Sequence, residues 1–292
     1  MNPSLRDIRI ACFSGTGGAR RAAEALLREF TAQGATASLL MLEGPARRGG
    51  WGTEAKPDLL VLVFAVHAFD APEPVYRWLK GTDLVGVRGA VLSVSGGGEM
   101  WPNTGCRRAV IAMLQSRGCD VFYDRMLIMP CNWVIGTGDH VAMHLLLVLP
   151  DKARAIAGDI LSGRECQGQG RMGAIRRRIS AMEKAGVHQI SGKYRLEGCT
   201  GCGWCERSCP VGSITMASGK PVFGDRCVAC FRCVYGCPAH AIKSKNFMIV
   251  QKGFSIDELE RRMEGVELKP VEQCCKGWAW KGVREYLLNP DE

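Results

Sequence analysis

Eight of the fifteen cysteines fall in two runs of identical spacing. Cys199, Cys202, Cys205 and Cys209 precede Pro210, and Cys227, Cys230, Cys233 and Cys237 precede Pro238. Each cysteine of the second run lies 28 positions after its counterpart, as Cys227 does after Cys199. Two residues between thiols let a tight loop aim three thiolates at three corners of a cube. The fourth thiol is carried off by the turn of chain that follows. This is the spacing of paired [4Fe–4S] sites in which the fourth cysteine of each run serves the other site. Cys199, Cys202 and Cys205 would then share one cluster with Cys237, and Cys227, Cys230 and Cys233 the other with Cys209. Two four-cysteine zinc sites are the alternative. Zinc is satisfied by paired Cys-x2-Cys knuckles and gives no reason for the third cysteine, or for the fourth before proline, in both runs.

Over about residues 193–245 these motifs resemble the bacterial two-cluster ferredoxins. A second set of candidates lies near the N-terminus. Ser14, Gly15, Thr16, Gly17, Gly18 and Ala19 join a short apolar run to a stretch of helical spacing. Small residues there let backbone N–H groups approach a phosphate at a helix N-terminus. The loop is neither a Walker motif nor a G-x-G-x-x-G fingerprint. It resembles the phosphate loop of flavodoxins at Ser14, Thr16 and Gly17, and departs at Gly18 and Ala19, where that family carries Asn and Thr.

The first 150 or so residues alternate as strands and helices. Apolar runs at 8–13, 37–42, 59–65, 89–94 and 121–129 read as strands. Helical spacing covers 19–33, 74–80, 106–117, 142–149 and 152–161. That alternation predicts a parallel sheet with helices on both faces. The resemblance implies a flavodoxin-like five-stranded α/β sheet of order 2-1-3-4-5, followed by a small α+β two-cluster ferredoxin domain. It also implies FMN at the carboxyl edge of the sheet, where the strand order reverses. The first loop would take the phosphate. Val66, His67 and Ala68, with Ser95, Gly96, Gly97, Gly98 and Trp101, would flank the ring. Trp101 or Phe69 would stack on it, and residues 130–133 would close the pocket. His67 reads equally as a solvated loop histidine or a donor to the ring edge.

The expected organisation is a flavodoxin-like FMN domain at 1–165, a basic helical linker at 166–192, a ferredoxin domain at 193–245 and a helical extension at 246–292. Apolar residues make up 47% and charged residues 23% of the 292, which excludes a disordered, fibrous or coiled-coil chain. The longest apolar runs, 59–66 and 145–149, fall far short of a membrane span. The N-terminal stretch does not read as a signal peptide, so a cytoplasmic, reducing setting is expected. Cys12, Cys106, Cys119, Cys131 and Cys166 read as small core residues or incidental thiols, and Cys274-Cys275 lacks ligand spacing. The net charge of +9 and the basic stretch 171–184 fit acidic redox partners and carry no nucleic-acid motif. A homodimer is compatible with the sequence.

The whole chain resembles prokaryotic flavodoxin–ferredoxin fusions, which implies electron transfer between FMN and two [4Fe–4S] clusters. No acid–base dyad or nucleophilic triad is present, so no catalytic residue is assigned. The alternatives are a flavin-dependent oxidoreductase using His67, Glu99 and Asn132, with the clusters as electron feed, and a sensing module with a lost FMN site.

Overall fold

The computed structural model describes residues 7–43, 48–52, 55–99, 103, 105–133, 136–167, 194–244 and 253–289. Trp101 and the basic stretch 171–184 lie outside the described residues.

The apolar runs form strands β1 (Asp7–Phe13), β2 (Thr36–Met41), β3 (Leu59–Ala65), β4 (Arg88–Ser95) and β5 (Asp120–Ile128). All pair in parallel in the order β2-β1-β3-β4-β5, the flavodoxin-like order expected. A sixth strand, β6 (Cys166–Gln167), pairs with β5 at Tyr123 and Asp124. Two residues are too few to carry a period of two, so this strand has no signature in the sequence. It takes the sheet past residue 165, where the first domain was expected to end.

Helices α1 (Gly18–Ala32) and α4 (Asp139–Ser162) cover one face, and α2 (Glu73–Lys80) and α3 (Arg108–Ser116) the other. β3 shows why the strands are apolar throughout. Leu59, Val61 and Val63 point into the α1/α4 layer, while Leu60, Leu62 and Phe64 point into the α2/α3 layer. Alternate side chains leave opposite faces, so a central strand needs apolar residues at every position.

Residues 142–149 and 152–161 belong to one helix of 24 residues, with Pro150 inside α4. An interior proline costs a helix about 3 kcal/mol through its missing N–H and ring clash. Burial of Val141, Leu145, Leu149, Ile156, Ile160 and Leu161 offsets this. Each such side chain contributes about 1.5–3 kcal/mol.

The cysteine-rich region contains β7 (Tyr194–Leu196), α5 (Trp204–Ser208), β8 (Ile214–Ala217), β9 (Lys220–Phe223), α6 (Arg232–Tyr235) and β10 (Ile242–Ser244). β7 pairs antiparallel with β10, and β8 with β9. The 28-residue repeat is carried by the backbone as well: α5 opens at Trp204 and α6 at Arg232, and β8 opens at Ile214 and β10 at Ile242. Left-handed φ values recur in register. Gly201, Gly203 and Gly212 have φ of 71°, 70° and 61°, and Ala229, Phe231 and His240 have 47°, 57° and 47°. His240 is exposed. A left-handed backbone costs a non-glycine residue about 1–2 kcal/mol. After the added freedom of the unfolded chain, His240→Gly is expected to stabilise the protein by about 0.5–1 kcal/mol. Thermal unfolding of the full chain should show a midpoint higher by roughly 2 °C. A lower midpoint would mean that the histidine is held there by contacts rather than tolerated.

The extension forms short helices: α7 (Ile256–Arg262), α8 (Val271–Cys274), a 3₁₀ turn (Trp278–Trp280) and α9 (Lys281–Leu288). It returns to the parallel sheet. Phe254 and Ile256 join the α1/α4 layer. Arg21 reaches Asp257 and Glu260, each at 2.6 Å, and Arg262 forks onto Asp139 at 2.8 Å. Among the described residues no helix is long and apolar enough to cross a membrane.

Candidate functional site

The loops leaving the carboxyl ends of β1, β3, β4 and β5 meet around one cavity of about 340 Å³. That edge of a doubly wound sheet is where ligands bind, and small-molecule pockets run from about 300 to 1,000 Å³. Ser14, Gly15, Thr16, Gly18 and Ala19 line the cavity. Gly17 instead makes the turn: its φ is 101°, and its N–H donates to Ser14 Oγ at 3.2 Å. Gly18 and Ala19 open α1, where the first N–H groups have no acceptor inside the helix. Asn132 Nδ2 donates to Thr16 Oγ1 at 2.7 Å, tying the first loop to the last.

Val66, His67, Ala68 and Phe69 line the second side. His67 and Asp70 exchange backbone hydrogen bonds of 2.9 and 3.0 Å around Ala68 and Phe69, both at positive φ. Burial lowers the His67 pKa to about 4, so the ring is neutral at pH 7. Its Nδ1 lies 3.0 Å from the Val228 carbonyl. A carbonyl only accepts, which places the proton on Nδ1.

Ser95, Gly96 and Gly97 line the third side. A Cβ on Gly96 would fall 2.3 Å from that of Cys131, so only glycine fits. Gly98 turns away toward Ile128. Glu99 lies outside this cavity: it accepts from Arg107 Nη2 at 2.6 Å. Arg107, fully buried, also pairs with Asp124 at 2.6 Å and donates to Ser93 at 2.8 Å.

The residues present fit a phosphate-bearing ring. The glycine loop opens a helix, the wall is mostly apolar, and the buried Nε1–H of Trp133 has no acceptor among the described residues.

Sequence reasoning missed the opposite wall. It is built by Ala229, Cys230 and Phe231 from the second cysteine run, and by Ala279, Trp280 and Val283 from the extension. A Cβ on Gly15 would lie 2.6 Å from the Cys230 carbonyl, so the first loop and the second cysteine run touch. Between Cys230 and Cys233 sits Arg232. Its guanidinium donates to the carbonyls of Gly15 (3.0 Å), Ser14 (2.6 Å) and Ser208 (3.2 Å), and pairs with Glu43. Tyr235 Oη donates to the Asn132 carbonyl at 2.8 Å. A basic residue inside the second cysteine run is the trace of this in the sequence.

None of the fifteen cysteines is in a disulfide. Cys199, Cys202, Cys205 and Cys237 line one small cavity. Cys209, Cys227, Cys230 and Cys233 line a second. Backbone N–H groups point at sulfur: Ser213 to Cys209 at 3.2 Å, Ala229 to Cys227 and Ala241 to Cys237 at 3.4 Å. Burial raises the thiol pKa of Cys205, Cys227 and Cys233, and pushes Cys230 up to about 12. Thiolates in such surroundings need a cation beside them. Cys202 is exposed, and backbone N–H donation lowers its pKa. Cys230 and Phe231 line both the second cysteine cavity and the large one, forming a wall shared by the two.

Residues 192–239 match the model of the 4Fe–4S dicluster domain. Over these residues the chain is similar to that domain family. In the present chain the segment is joined to a flavodoxin-like sheet and meets it along the Arg232 and Cys230 contacts. Among solved structures the chain is similar to oxidised Flavodoxin 2 from Bacillus cereus, with 16% identity, 54% of this chain and 99% of that one covered, and a TM-score of 0.39. It is similar to oxidised Flavodoxin 1 from the same organism at 14% identity, covering 53% of this chain and 97% of that one, TM-score 0.35. For the two-electron reduced flavodoxin of Megasphaera elsdenii the values are 14%, 41%, 85% and 0.32. The flavodoxin-like assignment stands on the strand order and on the loops at its carboxyl edge, with the dicluster domain against them. No curated protein matches the chain.

Proposed function

We propose that the protein transfers electrons between FMN, held in the cavity at the carboxyl edge of the sheet, and two [4Fe–4S] clusters held by the crossed cysteine sets. The observation that carries this reading is the shared wall: Cys230 and Phe231 separate the large cavity from the second cysteine cavity. Bound FMN supplies two-electron chemistry that can be released one electron at a time, and each cluster carries one. The chain's own residues hold and insulate. Ser14 to Ala19 receive the phosphate, His67 presents a neutral ring, and the loops 66–69 and 95–97 exclude water. The backbone N–H groups on Cys209, Cys227 and Cys237 stabilise charge on sulfur.

The exposure of Cys202 supports the first-run cluster as the end that meets redox partners, which we take to be acidic proteins given the net charge of +9. Cysteines kept as cluster ligands, with none of the fifteen in a disulfide, support a cytoplasmic setting. Substrate reduction over the flavin has less support. Glu99 lies outside the cavity, and Asn132 and His67 are committed to Thr16 and Val228.

Anaerobic reconstitution with iron, sulfide and FMN is expected to give about eight irons and one flavin per chain. A protein with intact clusters that takes up no FMN would overturn the flavin half. A colourless protein without inorganic sulfide would overturn the whole.

A further inference from the structure

We infer that Phe231, with Ala229 beside it, is a positioning residue for the flavin ring, brought to the cavity by the second cysteine run at the expense of backbone strain. This rests on the flavin reading above. The duplication supplies its own control. Both runs bend their ligand loops through left-handed positions in register: Gly201, Gly203 and Gly212 in the first, Ala229, Phe231 and His240 in the second. The first run shows that glycine suffices for this backbone. Side chains in left-handed positions are unfavourable and persist only where the surroundings over-determine them.

The surroundings differ among the three. His240 faces solvent, whereas Ala229 and Phe231 are 6% and 2% exposed and line the large cavity. Phe231 meets Trp133 edge-on at 5.8 Å between centroids, and Tyr235 at 6.2 Å. The next position in the repeat also changes: where α5 opens with Trp204, α6 opens with Arg232, which holds the first loop. Three positions of the second run thus depart from the first at contacts with the flavodoxin-like unit. A role in docking alone accounts for Arg232. Docking also uses the edge of Phe231 against Trp133, but it does not require the ring to line the large cavity as it does. A ring there offers an apolar face or edge to a planar ligand.

The test is FMN titration of the cluster-loaded full chain, followed by flavin fluorescence, with iron measured in parallel. Phe231→Gly gives the second run the residue type of the first. It is expected to keep about eight irons per chain and to bind FMN roughly tenfold more weakly. Phe231→Tyr keeps a ring and is expected to retain wild-type affinity. Equal affinity of Phe231→Gly and wild type overturns the inference and leaves the flavin reading standing. A wild type that binds no FMN overturns both. If Phe231→Gly loses iron, Phe231→Asn is the second variant, since asparagine also tolerates this backbone. Iron loss in both would assign the ring to the cluster loop and overturn the inference, while retained iron with weakened FMN binding would support it.

Discussion

Replacing Cys237 by serine should empty the cluster of the first cysteine run and leave that of the second. Cys237 belongs to the second run in sequence, yet it lines a cavity with Cys199, Cys202 and Cys205. The measurement is iron per chain after anaerobic reconstitution. Cys237→Ser is expected to fall from about eight irons to about four. Combining variants separates crossed from uncrossed ligation. With crossed ligands, Cys199→Ser with Cys237→Ser strikes one cluster twice, and about four irons remain. Cys227→Ser with Cys237→Ser strikes both clusters and should leave almost none. Uncrossed ligands would invert the two results. Non-additivity of this kind marks residues that act on one unit.

Arg232→Met should loosen the junction between the dicluster domain and the sheet. The guanidinium serves three carbonyls and one carboxylate from a position between Cys230 and Cys233. Hydrogen bonds to a charged group contribute about 1.5–3 kcal/mol each. Methionine keeps the length and removes all of them, leaving Glu43 without this partner. A loss of about 3 kcal/mol in local stability corresponds to more than a hundredfold faster amide exchange. Exchange at residues 14–18 is the readout. Arg232→Lys should fail to restore protection, because a point charge cannot copy the fork. Unchanged exchange in Arg232→Met would show that the loop is held without the latch.

The strand order was legible because a buried parallel sheet imposes its pattern locally. Leu59 to Phe64 must be apolar on both faces, and glycine loops must follow β1 and β4. The cysteine runs were legible because ligand geometry fixes their spacing. Pro150 misled, since a local penalty was outweighed by burial along α4 that no short window contains. Cys166 and Gln167 were too few to show a period. The far wall of the cavity was hidden for another reason. Gly15 and Arg232 stand more than two hundred positions apart, and nothing in the composition of either segment names the other.

Trp280 and Val283 line the same cavity as Ser14. During synthesis, Ser14 leaves the ribosome long before them, so the chamber stays unfinished until residues 279–283 have emerged. Contacts of such sequence separation form late in folding. A nascent chain stalled before residue 279 would carry all of residues 14–19 and still lack the wall that Ala279, Trp280 and Val283 build.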